Sequence, residues 1–479
     1  MIKIIEFFKK KYAVIILALI FSFVLYYSLS GLAARPRLWN DEGFNIEVAR
    51  NFLLFQKLNI MTAPGVFAPE PYVMSTTGYP VTVPLSGFFY FFGFGLFQAR
   101  AYMIFWVLLA VYSVFYFSRA IFGEKSALAT TALFISFASF YDSGLAVMGE
   151  IPGFIFFIWG LYFLTKKESF FWSGLFLGLA AVAKPSIYLL APLAFLIYIL
   201  ISRKDLFRRF FRFSIGAAMP VLLDCFILIP NIFSWRSWLD ALNYYRNPFM
   251  DATPVSVNIW NNLLSFFHST TLIYFALIIF IIIFSFWQSR EIIAGARKEA
   301  VSFCFIYGLL IAAYFLKSPG WFRYLLPLQL IAFIFIVPAV SNLFEKYGKY
   351  LAAIKIRRPA IILFSAMIVL QLYVLFFNSD ILVSAKPIEA IDFLKTLNGT
   401  VGVINLPHFA AFSAPGSTYQ VIRDARQGGE NPLSFSKEKL PDYILSNEKD
   451  PYALAYGDVL SADYLKINQI GKVTFYARR

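Results

Sequence analysis

Long apolar runs recur along this chain from residue 12 to residue 378, and short segments between them hold most of the Lys and Arg residues. An α-helix needs about 20 predominantly apolar residues to cross the hydrocarbon core of a bilayer. Hydrophobic residues make up 59% of the 479 residues and charged residues only 14%, which is far from the composition of soluble proteins. The sequence therefore predicts a mainly α-helical, polytopic membrane protein.

The formal net charge of +15 agrees with this class because of where the charge lies. Cytoplasmic loops of membrane proteins are enriched in Lys and Arg, whereas nucleic-acid-binding proteins concentrate these residues on hydrophilic domains. Here the basic residues lie between apolar runs, so no nucleic-acid partner is predicted. Cys225 and Cys304 lie inside apolar runs, and this pattern predicts neither a disulfide framework nor a thiolate metal site.

The charge rule favours eleven spans with the N-terminus in the cytoplasm. If the apolar run 79–97 crossed the membrane fully, the basic clusters 203–212 and 346–358 would lie outside. The prolines and glycines of this run are typical of a re-entrant or outer-leaflet segment instead. The predicted spans are 12–32, 101–118, 126–146, 151–165, 170–183, 186–202, 213–232, 270–288, 300–316, 321–341 and 359–378.

Two regions of the chain are predicted to lie outside the membrane on the extracytoplasmic side. Residues 39–97 form the first outer loop, in which a helical period from Phe44 indicates a helix lying in the interface. Its polar stripe contains Glu47, Arg50 and Asn51. Residues 380–479 are predicted as a small outer α/β domain that follows a membrane domain of residues 1–379. Its predicted elements are a helix at 388–397 and strands at 400–405, 442–445 and 472–477.

Three carboxylates on the predicted outer face are candidates for chemistry. Asp41 and Glu42 follow the first span, where such a pair is either a helix N-cap with a solvated neighbour or the base for a reacting hydroxyl. Glu150 lies between two apolar runs. Burying it without a partner would be costly, which favours a polar cavity; the alternative is an ordinary acidic loop residue.

Several short motifs occur in a characteristic order, from residue 39 to about residue 200 and again near residue 321. They are Asn40-Asp41-Glu42, Gly78-Tyr79-Pro80, Gln98-Ala99-Arg100, Ser118-Arg119-Ala120-Ile121-Phe122-Gly123, Gly149-Glu150-Ile151-Pro152, Gly178-Leu179, Ala183-Lys184-Pro185 and Trp321-Phe322-Arg323-Tyr324-Leu325-Leu326-Pro327. Together they resemble the lipid-linked-sugar glycosyltransferases of the glycosyltransferase C superfamily. That group contains the protein O-mannosyltransferases, the lipid A aminoarabinose transferase and the galacturonosyltransferases. The corresponding module would span about residues 12–232.

The resemblance implies a polyprenyl-phosphate sugar donor, inversion at the anomeric carbon, and a reaction on the outer face of the plasma (inner) membrane. The acceptor would be a hydroxyl of a glycolipid, a polysaccharide or a protein. Asp41 would be the catalytic base, Glu150 would help to hold the acceptor or the base, and Glu42 is the third catalytic candidate. Two departures from the family pattern are Thr77-Gly78-Tyr79 ahead of the re-entrant segment and Glu in place of Asp at position 150.

Cations on the same face could bind the donor phosphate, whose negative charge rises as the glycosidic bond breaks. Lys184, Arg323 and Lys317 are the candidates, with Tyr324 beside Arg323. As an alternative, Lys184 would snorkel to the interface. Arg323 and Tyr324 would then belong with Trp321 to an aromatic belt.

No cofactor is predicted. The two histidines, His268 and His408, lie far apart in the sequence, and a divalent cation held by Asp41 and Glu150 is the alternative. A rival function is a transporter or lipid flippase that uses Glu150 and Lys184 as a substrate or coupling site. Another is a non-catalytic membrane scaffold. A polar cavity that joins Asp41, Glu150 and Arg323 would favour the transferase.

Overall fold

The computed structural model of the chain describes most of the sequence. Lys167, Arg203, Lys204, Arg290 and residues 354–358, which belong to the predicted cytoplasmic basic clusters, lie outside the described residues. The described residues are 2–166, 169–202, 205–246, 253–288, 296–353, 359–377, 386–421, 440–450, 453–454 and 456–479.

Helices dominate residues 2–377, as the apolar runs predict. A buried core of aliphatic and aromatic side chains joins most of them into one bundle. The helices are α1 (Ile2–Leu29), α2 (Asn40–Phe55), α3 (Pro71–Met74), α4 (Tyr79–Phe92), α5 (Leu96–Phe122), α6 (Glu124–Ile135), α7 (Ala138–Leu145), α8 (Glu150–Thr165), α9 (Phe170–Ala183), α10 (Pro185–Tyr188), α11 (Leu190–Ser202), α12 (Leu206–Leu228), α13 (Trp235–Arg246), α14 (Val255–His268), α15 (Thr270–Gln288), α16 (Ala296–Lys317), α17 (Leu326–Ala353) and α18 (Pro359–Phe377). A 3₁₀ turn, Phe322–Leu325, joins α16 to α17.

Eight helical segments among the described residues are long and apolar enough to cross a membrane, or nine if the bent pair α7 and α8 counts as one span. The predicted count of eleven is therefore not confirmed. The predicted span 126–146 divides into α6, of 12 residues, and α7, of 8 residues. Helix α9 has only 14 residues. At 1.5 Å per residue these helices reach at most about 21 Å, which is less than the hydrocarbon thickness of a bilayer.

Helix α4 occupies the segment predicted to be re-entrant. It has 14 residues and contains Pro84, and it is not among the segments long enough to span. Its length of about 21 Å is too short for a full crossing. This agrees with the topology in which α1 and α5 are consecutive spans.

Helix α2 differs from its predicted environment. Its polar stripe was expected in the membrane interface, but Glu47, Arg50 and Asn51 are buried. Arg50 donates hydrogen bonds to the carbonyls of Ala411 and Ser413 at 2.7 and 2.8 Å. The stripe therefore faces the C-terminal region, because a buried charge requires hydrogen-bonding partners that lipid cannot supply.

The C-terminal region forms a five-stranded sheet in the order β4-β3-β5-β7-β6. Strands β3, β4 and β5 are parallel, and β7 pairs antiparallel with both β5 and β6. The predicted small α/β region is thus present, and the boundary at residue 380 stays a prediction. The elements, with a short outer hairpin of β1 and β2, are β1 (Met61–Ala63), β2 (Val66–Phe67), α19 (Lys386–Thr396), β3 (Val401–Ile404), α20 (Pro407–Ala410), β4 (Thr418–Val421), β5 (Tyr443–Ser446), α21 (Gly457–Asp463), β6 (Tyr464–Ile470) and β7 (Val473–Arg478).

Candidate active site

A cavity of about 1340 Å³ lies between the helical bundle and the C-terminal sheet. Its membrane side, called the floor below, includes Asp41, Asp142, Trp321, Arg323 and Gln329. Its opposite side, called the roof, includes Lys386, Asn405, Asn447, Asp450 and Lys472. The two walls come from segments far apart in sequence, so the cavity exists only when the C-terminal region is seated on the bundle.

Asp41 and Arg323 form an ion pair on the floor of this cavity. The Arg323 Nη1 atom lies 2.8 Å from Asp41 Oδ2, and the two side chains are 19% and 22% exposed. Asp41 lies in the first turn of α2, where the positive end of the helix dipole favours an anion. Arg323 lies in the 3₁₀ turn before α17, and its guanidinium lies over the ring of Trp321 at 4.8 Å. Both charged groups are therefore held in place while remaining accessible from the cavity.

The charges around Asp41 set its protonation. Burial raises the pKa of this carboxyl, but the positive charges of Arg323 and Lys184 outweigh burial and hold the pKa below its ordinary value. Asp41 is therefore ionised at neutral pH, as a base must be before it accepts a proton.

Lys184 and Glu150 form a second ion pair, which is nearly fully buried. The Lys184 Nζ atom lies 3.4 Å from Glu150 Oε1, with side-chain exposures of 3% and 0%. Neither Glu150 carboxylate oxygen has a hydrogen-bond partner among the described residues. Gly149 brings the two segments together, because a Cβ at this position would collide with the carbonyl of Ala183. Neither residue lines the cavity, and the positive charge of Lys184 acts on Asp41.

Glu42, the third predicted carboxylate, does not line the cavity. Arg100 donates two hydrogen bonds to its carboxylate, each 2.9 Å long, and the two side chains are 0% and 1% exposed. Arg100 also donates to the carbonyls of Leu32 and Ala33. This arrangement joins α2 to the start of α5 and to the segment after α1, which favours a structural role. A catalytic role of Glu42 stays a prediction.

The remaining predicted phosphate ligands also lie away from the cavity lining. Lys317 is the last residue of α16 and is exposed, and Tyr324 is buried with 4% exposure. Tyr324 stacks on Trp321 at a ring-centroid distance of 5.7 Å. The structure thus places Asp41 and Arg323 on the cavity wall. The lining does not include Lys184, Glu150, Lys317 or Tyr324.

Helix α2, which carries Asp41, is fixed by contacts on both sides. Asn45 donates to the carbonyl of Val147, 2.7 Å away, in the segment just before α8. On the other side, Gln420 of β4 donates to both oxygens of Glu47 at 2.9 and 2.8 Å. Gly43 allows a backbone contact with His408 of α20, because a Cβ there would collide with the His408 backbone. The position of Asp41 therefore depends on the C-terminal region.

Some residues of the cavity were not identified from the sequence. Arg37 and Asp142 line it, as does His408, whose pKa is lowered to about 3 by burial and by the charge of Arg37. Asp142 lies inside a predicted span, and an acidic residue within a span is itself a signal of function. The roof residues carry no comparable signal because they are ordinary polar residues of a hydrophilic segment.

The described residues contain no group of three or more His, Cys, Asp or Glu side chains that could hold a metal ion. Asp41 and Glu150, the alternative cation ligands, are each paired with a basic side chain. The absence of a cofactor stays a prediction.

Comparison with solved structures defines the class of fold. ArnT from Cupriavidus metallidurans bound to undecaprenyl phosphate matches with a TM-score of 0.58 and 15% identity, over 96% of this chain and 97% of that chain. The Archaeoglobus fulgidus oligosaccharyltransferase matches with a TM-score of 0.55 and 12% identity, over 98% and 75% of the two chains. The arabinofuranosyltransferase AftD from Mycobacteria matches with a TM-score of 0.52 and 13% identity, over 98% and 40%. These likenesses confirm the predicted glycosyltransferase C fold.

The family follows from the sequence. Residues 80–319, half of the chain, match the model of glycosyltransferase family 87. No curated protein sequence matches the chain. The chain belongs to glycosyltransferase family 87 and is an integral membrane glycosyltransferase, as the motif resemblance predicted. A transporter or flippase is not favoured.

Proposed function

We propose that this glycosyltransferase transfers a sugar from a polyprenyl-phosphate donor to a hydroxyl of a glycolipid, polysaccharide or protein, with inversion at the anomeric carbon. The reaction takes place at the outer face of the plasma (inner) membrane. The observation that carries the proposal is the Asp41–Arg323 pair, 2.8 Å long, on the wall of a cavity that opens between membrane helices and an outer sheet. The fold shared with ArnT bound to undecaprenyl phosphate supports the choice of donor.

The step is a direct displacement. The acceptor oxygen forms a bond to the anomeric carbon while the bond from that carbon to the phosphate oxygen breaks. The acceptor proton passes to Asp41, and the electron pair of the broken bond leaves with the polyprenyl phosphate. Arg323 binds this phosphate, and its preorganised charge stabilises the negative charge that develops there.

The ion pair itself links donor binding to activation of the base. Without a bound donor, Arg323 pairs with Asp41. The positive charge lowers the pKa of the carboxyl group, so the carboxylate is a weaker base. A donor phosphate competes for the same guanidinium, since Arg binds phosphate and carboxylate with similar geometry. Arg323 then shifts its contact from Asp41 to the phosphate, and the freed carboxylate accepts the acceptor proton. Lys184, which does not line the cavity, supports the phosphate electrostatically.

The assay measures transfer from synthetic polyprenyl-phosphate sugars by purified protein in nanodiscs, with an envelope extract as the source of acceptors. The Asp41→Asn variant is compared with wild type and with Asp392→Asn, a matched control at an exposed acid on α19. We expect Asp41→Asn to lose transfer and Asp392→Asn to retain it. Equal activity of Asp41→Asn and wild type would remove Asp41 from the mechanism.

A further inference from the structure

The cavity is larger than a donor headgroup requires. Sites for single drug-sized ligands occupy about 300–1,000 Å³, whereas this cavity measures about 1340 Å³. The donor phosphate belongs at Arg323 on the floor, because its lipid chain stays in the membrane. The roof therefore borders space that a second substrate can occupy.

The topology of the C-terminal sheet explains why polar residues meet at the roof. Strands β3 and β5 are adjacent and parallel, so their carboxyl ends lie at the same edge of the sheet. Asn405 directly follows β3, and Asn447 directly follows β5. The turn between β6 and β7 lies at the same edge, since Thr474 pairs with Ser446. Ligands of α/β sheets commonly bind at the carboxyl ends of parallel strands, and here that edge faces Asp41.

The roof has the chemistry of a saccharide subsite. Asn405 has a left-handed backbone with φ of 50° and donates from its amide to Asp450 Oδ2 at 2.7 Å. The amide of Asn405 can donate to and accept from sugar hydroxyls, and the carboxylate of Asp450 can accept from them. Asn405 and Asp450 lie across the cavity from Asp41, the base that is proposed to accept the proton of the acceptor hydroxyl.

Two exposed lysines add positive charge to this edge. Lys386 opens α19, and Lys472 lies in the β6–β7 turn. The Lys386 side chain runs beside Gly471, whose Cβ, if present, would lie 3.1 Å from Lys386 Cδ. Both lysines line the cavity. The flexible ammonium groups of Lys386 and Lys472 would interact only weakly with a neutral sugar. A carboxylate or phosphate group on the ligand would attract both lysines.

We propose that the roof binds the acceptor, and that the acceptor is an acidic saccharide whose carboxylate or phosphate groups face Lys386 and Lys472. This inference rests on the proposed function, because it takes the floor as the donor site. It narrows the acceptor from any hydroxyl compound to an anionic, sugar-containing one. Specificity for the acceptor then resides in the C-terminal sheet, and the donor chemistry resides in the bundle.

Binding to the full chain in nanodiscs tests the proposal, with trigalacturonate as the acidic probe and maltotriose as the neutral probe of the same length. Undecaprenyl phosphate is the third probe. The variants are wild type, Lys386→Gln/Lys472→Gln, and the control Lys395→Gln, which changes an exposed lysine on α19 whose ion pair lies with Asp392. Because the substituted side chains are exposed, the variants should fold normally.

We expect wild type to bind trigalacturonate about tenfold more tightly than maltotriose, and the double variant to lose about this factor. Binding of trigalacturonate should weaken as salt is raised. Lys395→Gln should behave as wild type, and the double variant should bind undecaprenyl phosphate normally. The inference is overturned if wild type does not prefer the acidic probe or if the double variant keeps the preference. Failure of wild type to bind undecaprenyl phosphate would instead contradict the proposed donor.

Discussion

Asp41 and Glu42 are neighbours on α2, and each forms an ion pair with an arginine, yet the two pairs differ in burial and in their relation to the cavity. Asp41–Arg323 has a contact of 2.8 Å and lines the cavity, with both side chains about one-fifth exposed. Glu42–Arg100 has two hydrogen bonds and is sealed inside the protein. Successive residues of an α-helix point about 100° apart, so one acid faces the cavity while the next faces the bundle.

The difference in burial suits the Asp41–Arg323 pair to a reaction and the Glu42–Arg100 pair to stabilising the fold. A partly exposed pair that lines a cavity can exchange partners when a phosphate arrives, because water and the ligand can compensate each charge. A fully buried pair cannot, since removal of one partner leaves an uncompensated charge in a low-dielectric interior. This difference supports the proposal that Asp41–Arg323 takes part in the reaction, and it favours a structural role for Glu42–Arg100 in joining α2 to the bundle.

Breaking the buried pair should have the largest effect. The Glu42→Gln variant leaves Arg100 without its buried counter-charge, and we expect a loss of about 3–5 kcal/mol in stability. Thermal unfolding in detergent measures this as a large fall in midpoint temperature. Asp41→Asn, its matched neighbour, should cost about 1 kcal/mol or less because its pair is partly exposed. Equal midpoints for Glu42→Gln and wild type would refute the structural assignment.

Removal of Arg323, the partly exposed arginine, should lower turnover rather than stability. The Arg323→Gln variant loses the charge that stabilises the leaving phosphate, and we expect kcat to fall about 10²–10³-fold with little change in unfolding temperature. Arg119→Gln is the control, since Arg119 forms an exposed pair with Glu124 far from the site. Near-normal turnover of Arg323→Gln would exclude this residue from phosphate stabilisation.

A smaller effect is expected from Asn262 on α14, which fixes the segment leading to Arg323. Its amide donates to the carbonyls of Phe315, Leu316 and Ser318 at 3.0, 3.0 and 2.8 Å. Loosening this turn displaces the guanidinium, so Asn262→Ala should lower affinity for undecaprenyl phosphate and turnover by about tenfold. The adjacent Asn261 is exposed, and Asn261→Ala should be silent. Indistinguishable behaviour of the two variants would contradict the positioning role.

The smallest effect concerns pH. Because nearby cations hold the pKa of Asp41 below its ordinary value, the acid limb of kcat/KM in wild type should lie below the pH range in which an ordinary aspartate titrates. Loss of the Arg323 charge removes a group that favours the carboxylate, so the residual activity of Arg323→Gln should decline at a higher pH than in wild type. An acid limb that stays in place or moves lower would show that Arg323 does not tune Asp41.

The sequence was sufficient for the class of protein, and the side of the membrane on which the reaction takes place stays a prediction. Apolar length and charge placement predicted the helices. The same argument grouped Asp41 with Arg323, which are 282 positions apart (323 minus 41), and the structure brings them into contact. The resemblance of short motifs predicted the superfamily, which the family match and the fold confirm.

Other features depended on tertiary contacts that leave no local pattern. The predicted span 126–146 is interrupted between α6, which ends at Ile135, and α7, which begins at Ala138. From the sequence alone, the polar stripe of α2 predicts a face in the membrane interface. In the structure Gln420, from a distant strand, donates a hydrogen bond to Glu47 of this stripe. The roof residues are brought together by the pairing of strands that are separated in sequence. The sequence alone therefore did not assign these residues to the site.

The most direct test measures turnover and lipid affinity of Asp41→Asn on one preparation. If the pair is the reaction centre, turnover should fall about 10²–10⁴-fold, the usual contribution of a positioned base. Affinity for undecaprenyl phosphate should stay the same or rise, because the phosphate no longer competes with a carboxylate for Arg323. Unchanged turnover, or a parallel loss of turnover and lipid affinity, would contradict the account.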